Sequence, residues 1–174
     1  ANDDAATHTD CPAGLGADVI ELTPGTTYTL TAVHNTVEGH NGLPPVISDI
    51  TINGHGATIG RDTAGATPEF RVAYVAPGGA LELNNVTVSN GHGAGFHGGG
   101  IANDQGTLVL VDSMVRDSAA PGKYGGGIAV GGNQIVSTTL VLSNSQLIGN
   151  ESTFGGAIHA TGEVSSIIAS SIIS

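Results

Sequence analysis

The amino-acid sequence predicts an all-β fold, a right-handed, single-stranded parallel β-helix of about six coils with little or no helix, as one domain over residues 1–174. Three observations carry this prediction. A glycine cluster recurs as "FHGGGIAN" from Phe96, "YGGGIAV" from Tyr124 and "FGGAIHA" from Phe154, with its first glycines at positions 98, 125 and 155, so 27 and then 30 residues apart. Between the clusters a second phrase recurs as "GALELNNVTV" from Gly79, "GTLVLVDSMV" from Gly106 and "TTLVLSNSQL" from Thr138, in which Leu81, Leu108 and Leu140 correspond, as do Leu83, Leu110 and Leu142. Their alternation has period 2, the pattern of strands with one face inward. The third observation is composition: 28 Gly with only 3% aromatics, rich in Thr, Ser, Asn, Val and Ile, suits strands and turns, and no stretch shows the helical period.

Taken in order, residues 1–18 form an N-terminal cap region, and "DVIELTPGTTYTLTA" holds two short strands around the Pro24-Gly25 turn. "VISDITINGHGATIG" holds two more around the turn from Asn53 to Gly56. In the repeats, Asn85, Asp112 and Asn144 fall two residues after the second Leu, where a side chain that tolerates the left-handed conformation marks a corner. Ile101, Ile128 and Ile158 are expected to stack inside the solenoid, and Phe96, Tyr124 and Phe154 to form a ladder at one corner, so that all six apolar side chains are buried together. Phe96 stands one residue further from its Ile than the other two aromatics do, which an inserted His97 explains. One coil cannot bury its apolar face alone, so the coils share a single core. Residues 165–174 read as an uncapped last coil: Ile167, Ile168, Ile172 and Ile173 form an apolar, proline-free stretch, from which the expectation is either further coils or a homo-oligomer through that edge.

"VISDITINGHGATI", followed by "FRVAYVAPGGALELNNVTVSNG" and "GGGIAN", resembles the secreted right-handed parallel β-helix proteins of bacteria, including those with an N-terminal CSLREA-type motif. "GNESTFGGAIHA" is similar to the polymorphic outer-membrane protein repeat. The resemblance runs from about Ala17 to Ile158 and implies a scaffold rather than a particular activity. It also implies a departure at the N-terminus. Cys11 is not followed by Leu-Arg-Glu, and Thr26 stands where some relatives carry a second cysteine, so either the cap lacks their disulfide or the partner of Cys11 lies upstream.

Charge narrows the partners. Four Lys and Arg against 15 Asp and Glu give a net charge of -11, which argues against binding nucleic acid or an anionic membrane. No apolar run approaches the ~20 residues of a membrane-spanning helix, so membrane insertion is not expected. One Cys, few Lys and a polar, Gly-rich composition suit a secreted or cell-surface protein whose signal peptide has been removed.

Candidates for chemistry are few. A lyase of the β-helix type needs Ca²⁺ and basic groups to neutralise a uronate and take its proton, and only Arg61, Arg71, Arg116 and Lys123 are available. A glycoside hydrolase needs two facing carboxyl groups. The candidates for catalysis are His55 and His92, each within Gly-His-Gly, and Asp62; an enzyme would be indicated if two or more of Asp49, Asp62, Asp104, Asp112 and Asp117 converged in one groove. His92 and His97 flank a glycine-rich turn and are the candidates for a metal, with Asp3 and Asp4 as candidates for Ca²⁺ beside Asp10. The blander account of each is an exposed turn histidine or a solvated acidic tail. The sequence therefore reads as a non-catalytic β-helix adhesion or binding module for a glycan or protein, needing no cofactor, with a polysaccharide lyase or glycoside hydrolase as the alternative and a self-assembling structural repeat as the second.

Overall fold

The computed structural model describes residues 16–131 and 137–174. Those residues are all β, with no helix, and are wound as a parallel β-solenoid of about five turns. The first rung holds β1 (Asp18–Glu21) and β2 (Thr27–Leu30), and the second the single long β3 (Asp49–Arg61). β4 (Ala73–Val75) and β5 (Ala80–Ser89) make the third. The fourth runs through β6 (Ile101–Asp104), β7 (Thr107–Val111), β8 (Met114–Arg116) and β9 (Ala119–Tyr124). The fifth repeats it as β10 (Ile128–Gly131), β11 (Thr138–Ser143), β12 (Gln146–Ile148) and β13 (Glu151–Phe154), and the last comprises β14 (Ile158–Thr161), β15 (Val164–Ala169) and β16 (Ile172–Ile173). Three parallel stacks result: β1 or β2 on β3, β5, then β7, β11 and β15 or β8, β12 and β16; β4, β6, β10 and β14; and β9 with β13.

The expected registers are present. Ile50, Leu81, Leu108 and Leu140 form one inward column, and Ile52, Leu83, Leu110 and Leu142 the next. Val88, Val115 and Leu147 line the adjoining face, and Ile101, Ile128 and Ile158 stack as predicted, the first two fully buried and the third partly. Each inner side chain packs on its equivalents above and below, so each rung completes its neighbour's core. In the last rung the columns continue to Ile168 and Ile173, which are 50% and 45% exposed.

The corners follow an equally regular chemistry. Asn85, Asp112 and Asn144 take φ of 53°, 50° and 47°, and Ser170 joins them at 50°. The serine after each of the last three solves the backbone problem that such a corner creates: Ser113 Oγ accepts from the Val86 amide and donates to the Val111 carbonyl, while the amides of Ser113 and Ser145 donate to the hydroxyls of Ser145 and Ser171. Buried amides at the bend are thereby paired from one coil to the next. At the following corner Asn150 takes this role, its Oδ1 accepting from the Ser118 amide and its Nδ2 donating to the Val115 carbonyl.

The aromatic ladder needs two corrections. It lies outside the solenoid, with Tyr124 37%, Phe96 41% and Phe154 56% exposed, so the six apolar side chains are not buried together. Nor does Phe96 belong to it. The Gly98 amide donates to the Tyr124 carbonyl and the Gly125 amide to that of Phe154, which puts His97, not Phe96, on the rung below Tyr124. Backbone pairing counts residues back from the glycines, and the extra residue in the turn moves Phe96 aside.

Candidate functional site

In β6, β10 and β14 the residue after each buried Ile must face outward, which brings Ala102, Ala129 and His159 into one external column with Tyr74 of β4 below Ala102. Two residues on, Asp104, Gly131 and Thr161 form a second column. The turn before these strands supplies the third: His97, then Tyr124 and Phe154, which pair between β9 and β13. Two alanines and a glycine between taller neighbours leave a cleft of about 460 Å³, whose walls include Tyr74, Phe96, His97, Asp104, Tyr124 and His159.

Rings dominate one wall. Tyr124 stacks with His97 at 4.9 Å and with His159 at 4.4 Å between ring centres, and Phe154 tilts against it at 5.1 Å. His97 is held below the usual histidine range by burial first, then by the positive charges of Lys123, His159 and Arg71. Unfolded chains protonate their histidines near pH 6.5, so the unfolded state takes up this proton first. The His97 contribution to stability is accordingly full above that pH and shrinks as pH falls from about 6.5 toward the folded-state value. Thermal midpoints measured between pH 7.5 and 5.5 should fall less steeply in His97→Asn than in the wild type; identical slopes would remove His97 as a cause.

Beneath the cleft lies Arg71, only 2% exposed. Its Nη1 donates to the His97 carbonyl at 3.1 Å and its Nη2 to the Glu38 carbonyl, while Nε has no partner among the described residues. The guanidinium carbon lies 5.4 Å from the centre of the Tyr74 ring and 5.8 Å from that of Phe96, where the ring faces favour a cation. Burial pulls Arg71 down to about 10, so it stays charged at neutral pH. Burial also pushes the Tyr74 phenol up to about 12, with the Asp104 and Glu38 charges adding to the effect, and its hydroxyl donates to Asp104 Oδ2 at 3.4 Å.

The catalytic candidates do not meet. His55 is exposed, with Nε2 2.7 Å from Glu21 Oε2, and Asn53 and His55 hold the Glu21 carboxyl low; the pair ties the first rung to the second. His92 Nδ1 accepts from the Ala94 amide and lies 3.5 Å from Glu69 Oε2. Asp62 caps its own turn, accepting from the Thr67 hydroxyl and the Ala64 amide, and these bonds hold its carboxyl low. Of the five aspartates whose convergence would indicate an enzyme, only Asp104 lines the cleft. Asp112 accepts from Asn144 in its corner ladder, and Asp117 pairs with Arg116. His92 and His97 do not share a site, since the second stacks on Tyr124, and among the described residues no three His, Cys, Asp or Glu come together as metal ligands. Asp3, Asp4, Asp10 and Cys11 lie outside the described residues. Among those described, no helix is long and apolar enough to cross a membrane.

Sequence reasoning passed over Glu38, Tyr74 and His159, and weighed Arg71 only as a base for a lyase. The available signals were the alternation of "FRVAYV", which turns Tyr74 outward between buried Ala73 and Val75, and the position after each repeated Ile. Compared with protein-family models, with curated proteins and with solved structures, the chain matches none.

Proposed function

We propose that the protein is a non-catalytic binding module, secreted or displayed at a cell surface, whose solenoid presents the Tyr124 cleft to a glycan. One observation carries the reading. The chain has three Tyr and three Phe, and four of these six serve one cleft: Tyr74, Phe96 and Tyr124 line it, and Phe154 packs on Tyr124. Tyr74 is buried, but leaving Phe96, Tyr124 and Phe154 37–56% exposed costs solvation that a stable scaffold would recover by burying them. The electron-rich faces of such rings attract the polarised C–H bonds on the flat side of a sugar, and Asp104, Thr161 and His159 at the other edge offer hydrogen-bonding groups to its hydroxyls. The cleft holds two carboxylates, Glu38 and Asp104; Asp104 already accepts from the Tyr74 hydroxyl, and we read the site as one that holds a saccharide.

An array of neutral and uronate-bearing oligosaccharides tests this. The wild-type chain should retain a subset of them, uncleaved by mass spectrometry, and Tyr124→Ala should weaken retention at least about tenfold, as expected for loss of an aromatic anchor. Tyr124 is partly exposed, so the variant should keep the wild-type thermal midpoint within a few degrees. No retention at any saccharide, or retention untouched by Tyr124→Ala, would refute the proposal.

A further inference from the structure

Resting on that reading, we infer that the cleft selects acidic sugars and does so in mild acid: protonation of His97 and His159, on either side of the Tyr124 ring, converts it from a balanced site into a receptor for a uronate carboxylate. At neutral pH the fixed cations are Arg71 beneath the cleft and Lys123 beside Tyr124, and the facing anions are Glu38 and Asp104. Tyr74 donates to Asp104 and carries no charge. These four charges balance, so a carboxylate entering the cleft finds no net attraction, and the acidic surface of a chain with net charge -11 opposes it at longer range.

Two imidazoles change that balance. His97 comes from the turn before β6 and His159 from β14, and both stack on Tyr124 at 4.9 and 4.4 Å, so each would place a proton within the same cleft. Histidine is the side chain that changes charge between about pH 5 and 8. Without an anion, protonation of His97 is resisted by burial first and then by the charges of Lys123, His159 and Arg71. A bound carboxylate relieves that repulsion, so binding and proton uptake reinforce one another, as linkage requires. A uronate carboxyl, an ordinary sugar acid, stays ionised in this window. Arg71 adds a second, independent pointer: it is 2% exposed, no carboxylate neutralises it by direct hydrogen bonding, and its Nε lacks a partner among the described residues. A buried cation bonded to carbonyls and lying over ring faces is offset at neutral pH by Glu38 and Asp104, and an anion above it is favoured once the imidazoles add their charge.

The same array read at pH 7.5 and 5.5 tests the inference. Uronate-bearing spots should gain at least about tenfold in apparent affinity at the lower pH, while neutral spots change by less than about twofold. Calorimetry of the wild-type chain with a uronate trisaccharide from a retained spot, in buffers of different ionisation enthalpy, should report net proton uptake at pH 6. In the double variant His97→Asn, His159→Asn, whatever its absolute affinities, the ratio of binding at pH 5.5 to that at 7.5 should be the same on uronate spots as on neutral ones, and the proton uptake should be lost. Retention of neutral spots that depends on Tyr124, without an acid gain on uronate spots, overturns this inference alone. An acid gain that persists in the double variant, or that is equal on neutral spots, overturns it as well. A chain that retains no spot at either pH takes the glycan reading down with it.

Discussion

Ile128→Ala is expected to lower the free energy of unfolding by about 2–5 kcal/mol, the range for removing a large aliphatic side chain from a packed core. Ile128 is fully buried and stacked between Ile101 and Ile158, so the space left by three lost carbons opens in the middle of a column that backbone pairing holds at a fixed strand spacing. Collapse of the neighbours into that space is opposed from both sides, which places the loss toward the upper end. Ile167→Ala is the control. That side chain belongs to the same kind of apolar strand but is 61% exposed, and its removal should change stability by less than about 0.5 kcal/mol. Chemical denaturation of the two variants decides the matter, and equal losses would contradict the assigned faces.

Gly126→Ala is expected to cost about 3 kcal/mol, the upper end of what forcing one extra group into a packed site costs. A Cβ at Gly126 would lie 2.2 Å from the carbonyl oxygen and 2.5 Å from the carbonyl carbon of Glu151, which are backbone atoms of the next rung and cannot turn away as a side chain would. The equivalent Gly99 meets the Ala119 carbonyl oxygen at 2.3 Å. Gly65 provides the contrast: it lies on an open turn with nothing within 4 Å of the place a methyl group would take, so Gly65→Ala should be neutral or stabilise by up to about 1 kcal/mol. A Gly126→Ala protein as stable as the wild type would mean that the rungs can separate at this corner.

The glycine clusters thus have two separate causes. The first glycine of each, Gly98, Gly125 or Gly155, takes φ of 71°, 63° or 65°, which is the reason that turn chemistry suggests from sequence. The second, at Gly99 and Gly126, is required by the approach of backbone more than 15 residues further along the chain, a contact that no reading of one turn contains. Ala157 stands at the third position of the last cluster, so the requirement there is looser, although Gly127 at the equivalent position would carry a Cβ only 2.7 Å from the Ala157 carbonyl oxygen.

What the amino-acid order determined by itself was everything that repeats: the parallel solenoid, the inward Ile and Leu columns, and the left-handed corners at Asn85, Asp112 and Asn144. Burial and backbone strain act on each rung alike, so they leave a periodic trace that can be read without coordinates. The outer face is under no such repeated constraint. Whether His97 or Phe96 stands below Tyr124 depends on one residue in a turn, and either choice leaves the Ile column intact. The cleft was likewise decided only by tertiary structure. Tyr74, His97, Tyr124 and His159 come from different rungs and from positions that differ in kind from rung to rung, and Arg71 reaches its place under Phe96 through carbonyls of Glu38 and His97. Such a site has no period, because its chemistry comes from the differences between coils, whereas the core comes from their sameness.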